Sequence, residues 1–307
     1  MKSTSISRLK NFKHCPLSYL YTYVDKFIPT EQQPIFVQTK GLVLHQTFES
    51  LLKYENYEDE KPVLPYRQAD TKTVMEVFKA AMEENKFPVD KAIEFNLKLG
   101  LKRWIDFKHN YLDKTGHVMY AEKRYNEILF GETKTITILD LLEDCGDGNY
   151  IIYDYKTPKS VDTNRYKEQL ILYAYTMACV KGIITPGSED YEAVRKHFKL
   201  FVFFPLVTGS FDTYEKCLKE VEFTAADIKK VMLDVKKTCD VIDAFDFTKP
   251  AEVLQLSSPD FQCKWCAFYG AHAQPEIKSK NGRAFEGCPI TAFMGIKPIN
   301  AEFKPVL

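Results

Sequence analysis

Long apolar runs are missing from this 307-residue chain, and no stretch could cross a bilayer as a helix. A membrane partner is therefore not expected. An excess of charge of either sign is also missing: 42 basic residues balance 42 acidic ones. Any contact with a polyanion must then use a local patch rather than the field of the whole molecule. The opening MKSTSISRLKNFKHCP is polar and basic and lacks an apolar signal core, which leads us to expect an intracellular, cytoplasmic protein. Internal repeats, low-complexity tracts and clear linkers are absent too. What is present is ordinary for a globular protein, with 45% hydrophobic and 27% charged residues.

Cysteine is not scarce. Eight are present, and a reducing compartment argues against a disulfide framework. Cys145, Cys179, Cys217 and Cys239 each sit alone in helical or loop-like contexts and read as small buried hydrophobes. Cys15, Cys263, Cys266 and Cys288 call for more. Cys263-Lys-Trp-Cys266 is a C-x-x-C pair, a frequent half-site for soft metals. A thioredoxin-type redox pair would follow a strand and open a helix, whereas this one falls in an irregular tail.

The pattern of apolar residues predicts helices over 5–24 (interrupted by Pro16), 38–54, 68–85, 90–111, 164–182 and 224–245. Segments 117–130, 133–144 and 149–157 read as strands, with GDGN turning between the last two. KLFVFFPL (199–206) is a further strand, and 210–223 reads as a strand or strand pair. Residues 56–66 are expected as a loop. The whole is expected to be one α/β domain (α+β mixed) over 1–307. Within it, 1–120 is mainly helical, 121–250 an α/β core, and 251–307 an irregular cysteine-containing tail.

The run YIIYDYKTP raises the chemical question. Asp154 and Lys156 lie two apart, so on a strand they share a face. Acid-x-Lys triplets recur in this chain and are usually weak surface pairs. This one differs because it ends an apolar strand, and Asp140 ends the apolar strand before it. If the strands form a hairpin, the two carboxylates converge. They repel each other unless something cationic joins them. A divalent metal together with Lys156 satisfies both, and that is a layout for phosphodiester hydrolysis. Oxygen ligands suit Mg²⁺, and an imidazole among them makes Mn²⁺ equally suitable.

In order along the chain stand SISRLKNFKHCPLSYLY, Gly41-Leu-Val-Leu-His45, Asp140, Asp154-Tyr155-Lys156, Gln169-Leu-Ile-Leu-Tyr173 and the late cysteines. In that order they resemble the PD-(D/E)XK nuclease superfamily in its RecB-like and Cas4-like branch. The resemblance implies a restriction-endonuclease-like core, a mixed β-sheet flanked by helices with a helical N-terminal part and a C-terminal cysteine-bound metal centre. It implies that His45, Asp140, Asp154 and the Tyr155 carbonyl bind the metal. Lys156 would position the attacking water, while Gln169 and Tyr173 orient Lys156 or touch the DNA backbone.

The same resemblance implies a [4Fe–4S] cluster on Cys15, Cys263, Cys266 and Cys288. The chain departs from the family pattern here, with His272 where a close cysteine often stands, so Zn²⁺ on Cys263, Cys266, His272 and Cys288 stays open. The expected activity is a metal-dependent deoxyribonuclease, an exonuclease acting on single-stranded DNA or DNA ends and leaving a 5′-phosphate. Lys156, Lys159, Arg165 and Lys167 are candidate phosphate contacts. Protein partners would belong to a recombination, repair or phage/CRISPR-type system. The competing readings are a non-cleaving nuclease-fold subunit that binds DNA or a partner, and a redox-sensing iron–sulfur protein.

Overall fold

The computed structural model describes residues 3–29, 36–58, 61–62, 69–87, 91–130, 133–158, 160–207, 213–248, 266, 268, 274–279, 282–285, 288 and 303–304. The chain divides into two compact units. Ser3–Ile35 and Val235–Leu307 make up the first, and Phe36–Asp234 the second.

The first unit opens with helix α1 (Ile6–His14), started by Ser5, whose Oγ accepts the Arg8 N–H at 3.3 Å. Pro16 cannot extend it and instead begins α2 (Pro16–Tyr19), which runs on as a π-helical turn over Leu20–Val24. The Cys15 Sγ caps α2, accepting the Ser18 N–H at 3.4 Å. Leu17, Leu20, Tyr21, Phe27, Phe268 and Phe285 form this unit's aromatic core. Beside it Arg283 reaches the fully buried Asp25 at 3.1 Å. Burial pushes the Asp25 carboxyl up, and Arg283 works against that.

The second unit holds α3 (Phe36–Asn56), α4 (Thr71–Glu84) and α5 (Lys91–Phe107), the last continuing as a π-helical turn to Leu112. Then come β1 (Val118–Phe130), β2 (Thr133–Gly146) and β3 (Asn149–Tyr155). They are followed by α6 (Asn164–Val180), α7 (Tyr191–His197), β4 (Phe198–Phe203) and β5 (Leu218–Glu220). Helix α8 (Ala225–Ala244) begins in this unit and ends in the first.

The five strands form one mixed sheet in the order β1-β2-β3-β4-β5. All neighbours are antiparallel except β3 and β4, which run parallel across the connection containing α6 and α7. A parallel pair needs such a crossover, and central strands of this kind are buried on both faces. Tyr150, Ile152, Tyr153 and Tyr155 on β3 are accordingly all buried, as are residues Leu170 to Cys179 of α6. The mixed α/β class expected from the sequence is the class observed. The β2–β3 hairpin turns through Asp147 and Gly148, both at positive φ, the two-residue turn that matches strand twist.

Segment 210–223 departs from expectation. Its described part is a 3₁₀ turn at Tyr214–Lys216 followed by the three-residue strand β5. Cys179, Cys217 and Cys239 are buried as small hydrophobes, whereas Cys145 is only half-buried.

Candidate active site

Strand register assembles the site. In the β1–β2 ladder Ala121 pairs with Leu141 and Lys123 with Leu139, which sets Glu122 opposite Asp140. The β2–β3 ladder runs to the pair Leu141 and Tyr153, and one further step brings Asp154 beside Asp140. Three carboxylates thus occupy one row across three adjacent strands. Like charges set opposite each other weaken a sheet. Here the regular ladder gives way: Asp140 Oδ2 accepts the Tyr155 N–H at 2.6 Å, and Glu122 adopts φ 46°. That left-handed conformation is costly for a residue with a Cβ, and such strain collects at functional positions.

Helix α3 supplies the imidazole. Gly41 and His45 are four apart and lie on one face. A Cβ on Gly41 would stand 3.3 Å from Thr157 Oγ1, so glycine lets the helix come close to the chain leaving β3. Phe48 stacks on Trp104 at 4.7 Å and meets Tyr155 edge-on at 5.2 Å, which fixes the rotation of α3. His45 Nε2 donates to the Tyr155 carbonyl at 2.9 Å, and Nδ1 lies 3.4 Å from Asp140 Oδ1. Two acceptors hold the ring as an imidazolium. Burial lowers its pKa, but the Asp140 carboxylate outweighs burial and raises it to about 9. Asp140 is half-buried, and its desolvation raises its carboxyl. His45, Lys156 and the Tyr155 N–H outweigh that and hold it below the ordinary range.

Lys156 follows β3, held by its own N–H to the Phe203 carbonyl at 2.9 Å. Its Nζ lies 2.7 Å from Asp154 Oδ2 and over the Tyr166 ring at 5.4 Å. Desolvation lowers the Lys156 pKa, and Asp154 and Asp140 more than restore it, leaving it raised. From α6, Gln169 Nε2 donates to Asp154 Oδ1 at 3.2 Å and lies 2.8 Å from the Tyr173 hydroxyl. Gln169 thus orients Asp154, where the resemblance had paired it with Lys156 or DNA. Burial pushes Asp154 up to about 6 and Glu122 up to about 7, with Asp140 adding to both and Lys156 opposing the rise at Asp154.

Six sequence candidates therefore lie in one connected cluster: His45, Asp140, Asp154, Lys156, Gln169 and Tyr173. Glu122 joins them, a residue that sequence reasoning missed. His45, Glu122 and Asp140 each offer a ligand atom, all within 4.8 Å of one another, on the wall of a cleft of about 770 Å³. One imidazole with clustered carboxylates is a donor set that suits Mg²⁺ or Mn²⁺. A divalent ion would also relieve the repulsion that lifts Asp154 and Glu122. Among the phosphate candidates, Arg165 is exposed, Lys167 pairs with Asp227 at 3.0 Å, and Lys159 lies outside the described residues.

In the first unit, Cys15, Cys266 and Cys288 all pack, half-buried, against the one aromatic core. Ser18 links two of them, its N–H on Cys15 Sγ and its Oγ 3.9 Å from Cys266 Sγ. Cys263 and His272 lie outside the described residues.

A family model for the PD-(D/E)XK nuclease superfamily matches residues 3–270. No curated protein matches the chain. A solved structure titled "Crystal structure of SSO0001" is 13% identical, with a TM-score of 0.32, over 86% of this chain and 82% of that one.

Proposed function

The chain belongs to the PD-(D/E)XK nuclease superfamily, and from that premise we propose that it is a divalent-metal-dependent DNA nuclease acting at the His45–Asp140–Asp154–Lys156 cluster. The observation that carries this reading is the row of Glu122, Asp140 and Asp154 on three adjacent strands, with the Lys156 ammonium 2.7 Å from the last of them. A structural ion pair explains one acid and one lysine. A second, between His45 and Asp140, explains one more acid and the imidazole, but neither pair explains Glu122 in the same row.

His45, Asp140, Asp154 and the Tyr155 carbonyl would hold Mg²⁺ or Mn²⁺, and Glu122 adds a carboxylate within reach of His45 and Asp140. When bound, the ion lowers the pKa of a water and offsets charge on the phosphate. Lys156 orients the attacking water and faces the scissile phosphate. Gln169 keeps one Asp154 oxygen engaged, which leaves the other for Lys156. Tyr173 backs Gln169, and burial keeps its phenol protonated, since its pKa is raised.

The finer reading rests on the Cas4-like order of motifs: an exonuclease on single-stranded DNA or DNA ends, leaving a 5′-phosphate and a 3′-hydroxyl. A [4Fe–4S] cluster on Cys15, Cys263, Cys266 and Cys288 would tie early and late parts of the chain together. The packing of three of these thiols on one core supports it. The cluster set includes all three of the thiols packed on that core, whereas the Zn²⁺ set with His272 leaves out Cys15. Labelled single- and double-stranded DNA, incubated with Mg²⁺, Mn²⁺ or EDTA, tests the activity. Mononucleotides released from single strands with either metal, and none in EDTA, is the expected result. Binding without cleavage under every condition would favour the non-cleaving subunit instead.

A further inference from the structure

A second group of metal-ligating side chains stands at the other end of the β1–β2 ladder. Val118 pairs with Asp144, and one step outward sets His117 opposite Cys145. Glu143 and Cys145 are two apart on β2. By strand alternation they face away from Asp140, roughly 10 Å along the strand. A ring nitrogen of His117, a carboxylate oxygen of Glu143 and the Cys145 sulfur all lie within 4.8 Å of one another. We propose that His117, Glu143 and Cys145 form a second metal site, for a borderline ion of the Zn²⁺ class, separate from the nuclease cluster.

The chemistry of the donors selects the ion. Nitrogen, oxygen and sulfur together suit Zn²⁺ or Co²⁺, whereas Mg²⁺ takes oxygen alone. Three protein ligands leave a fourth tetrahedral position for water, and His117, 36% exposed, opens the group to solvent on one side. Glu143 is fully buried. Its Oε1 lies 2.6 Å from His117 Nδ1, and its Oε2 accepts the Tyr153 hydroxyl at 2.5 Å. Tyr111 in turn hydrogen-bonds Tyr153. Such outer hydrogen bonds are what hold a ligating carboxylate in place.

A histidine–carboxylate pair would explain His117 and Glu143 alone. It does not explain a half-buried thiol placed against them. The ion would pin the start of β1 to the end of β2.

The test is a Co²⁺ titration of the full-length protein after chelator treatment, followed through the thiolate-to-cobalt absorption in the near ultraviolet. Wild type is compared with Cys145→Ala and His117→Gln. All three keep Cys15, Cys263, Cys266 and Cys288, so the difference spectrum reports Cys145. We expect the variant Cys145→Ala to lose one equivalent of the absorption. His117→Gln should weaken competing Zn²⁺ by at least about tenfold. Zn²⁺ should raise the melting temperature of wild type more than that of either variant, with Mg²⁺-dependent DNA cleavage unchanged. Identical cobalt spectra for wild type and Cys145→Ala, with equal Zn²⁺ stabilisation, would overturn the site. That readout is independent of whether the nuclease cluster cleaves DNA.

Discussion

Replacing Glu122 by glutamine should have opposite effects with and without metal. Burial, then the Asp140 carboxylate, pushes the Glu122 carboxyl from 4.5 up to about 7. A raised acid favours the folded state when protonated. Its contribution is fully present below pH ~4.5 and is lost as pH rises through about 7. The two values differ by about 2.5 pH units at about 1.36 kcal/mol each, an upper limit of roughly 3.4 kcal/mol. Glu122 is half-buried, and solvent screening reduces this to about 1–2 kcal/mol. In EDTA at pH 8, Glu122→Gln should therefore be more stable than wild type by about 1–2 kcal/mol. At pH 4.5 the two should unfold alike. Saturating Mn²⁺ reverses the order, because an ion at about 100 times its Kd stabilises wild type by about 2.7 kcal/mol. The variant, lacking one ligand, should gain much less. Urea unfolding at both pH values, with EDTA or Mn²⁺, measures all four cases. A variant less stable than wild type in EDTA at pH 8, or one gaining as much from Mn²⁺, would refute the reasoning.

His45→Ala should raise the Mn²⁺ concentration needed for cleavage by at least about tenfold, measured by metal titration of the rate. Loss of thermal stability in EDTA with unchanged metal dependence would make His45 a packing residue instead. Metal affinity should rise from pH 5 to 9, since Asp154 and Glu122 must lose protons near 6 and 7 and His45 near 9. Calorimetric titration of Mn²⁺ against pH checks the sign, and a flat profile would contradict it. Protein purified without oxygen should be brown, and Cys15→Ser should bleach it. One zinc, no iron and no effect of Cys15→Ser would reassign that centre to Cys263, Cys266, His272 and Cys288.

Most elements are legible in the periodicity of the chain. The apolar stripe of 38–54 foreshadows α3, and the aromatic, β-branched run at 150–155 foreshadows β3. Asp147-Gly148 sets a two-residue turn, so the approach of Asp140 to Asp154 is within reach of sequence reasoning. Glu122 is not, because AEKRYNE carries four charges among seven residues and nothing local marks one of them. Its signal is the β1–β2 register, which is specified only once the connection between those strands is known. The left-handed φ of Glu122 is a tertiary effect with no sequence cue, since glycine would be the usual occupant. Segment 210–223 misleads because its spaced apolar residues mimic a strand, while in its described part the strand is confined to Leu218–Glu220. Cys145 reads as a buried hydrophobe because the pairing that sets it opposite His117 is likewise a matter of register.

Cleavage of end-labelled single-stranded DNA by wild type, Asp154→Ala and Lys156→Ala in Mn²⁺, with metal binding measured on the same samples, tests the central claim most directly. Asp154 is buried and its repulsion with Asp140 is relieved in the alanine variant, so Asp154→Ala should fold. The account predicts cleavage by wild type alone, with Lys156→Ala still binding Mn²⁺. Cleavage by Asp154→Ala at the wild-type rate would contradict it.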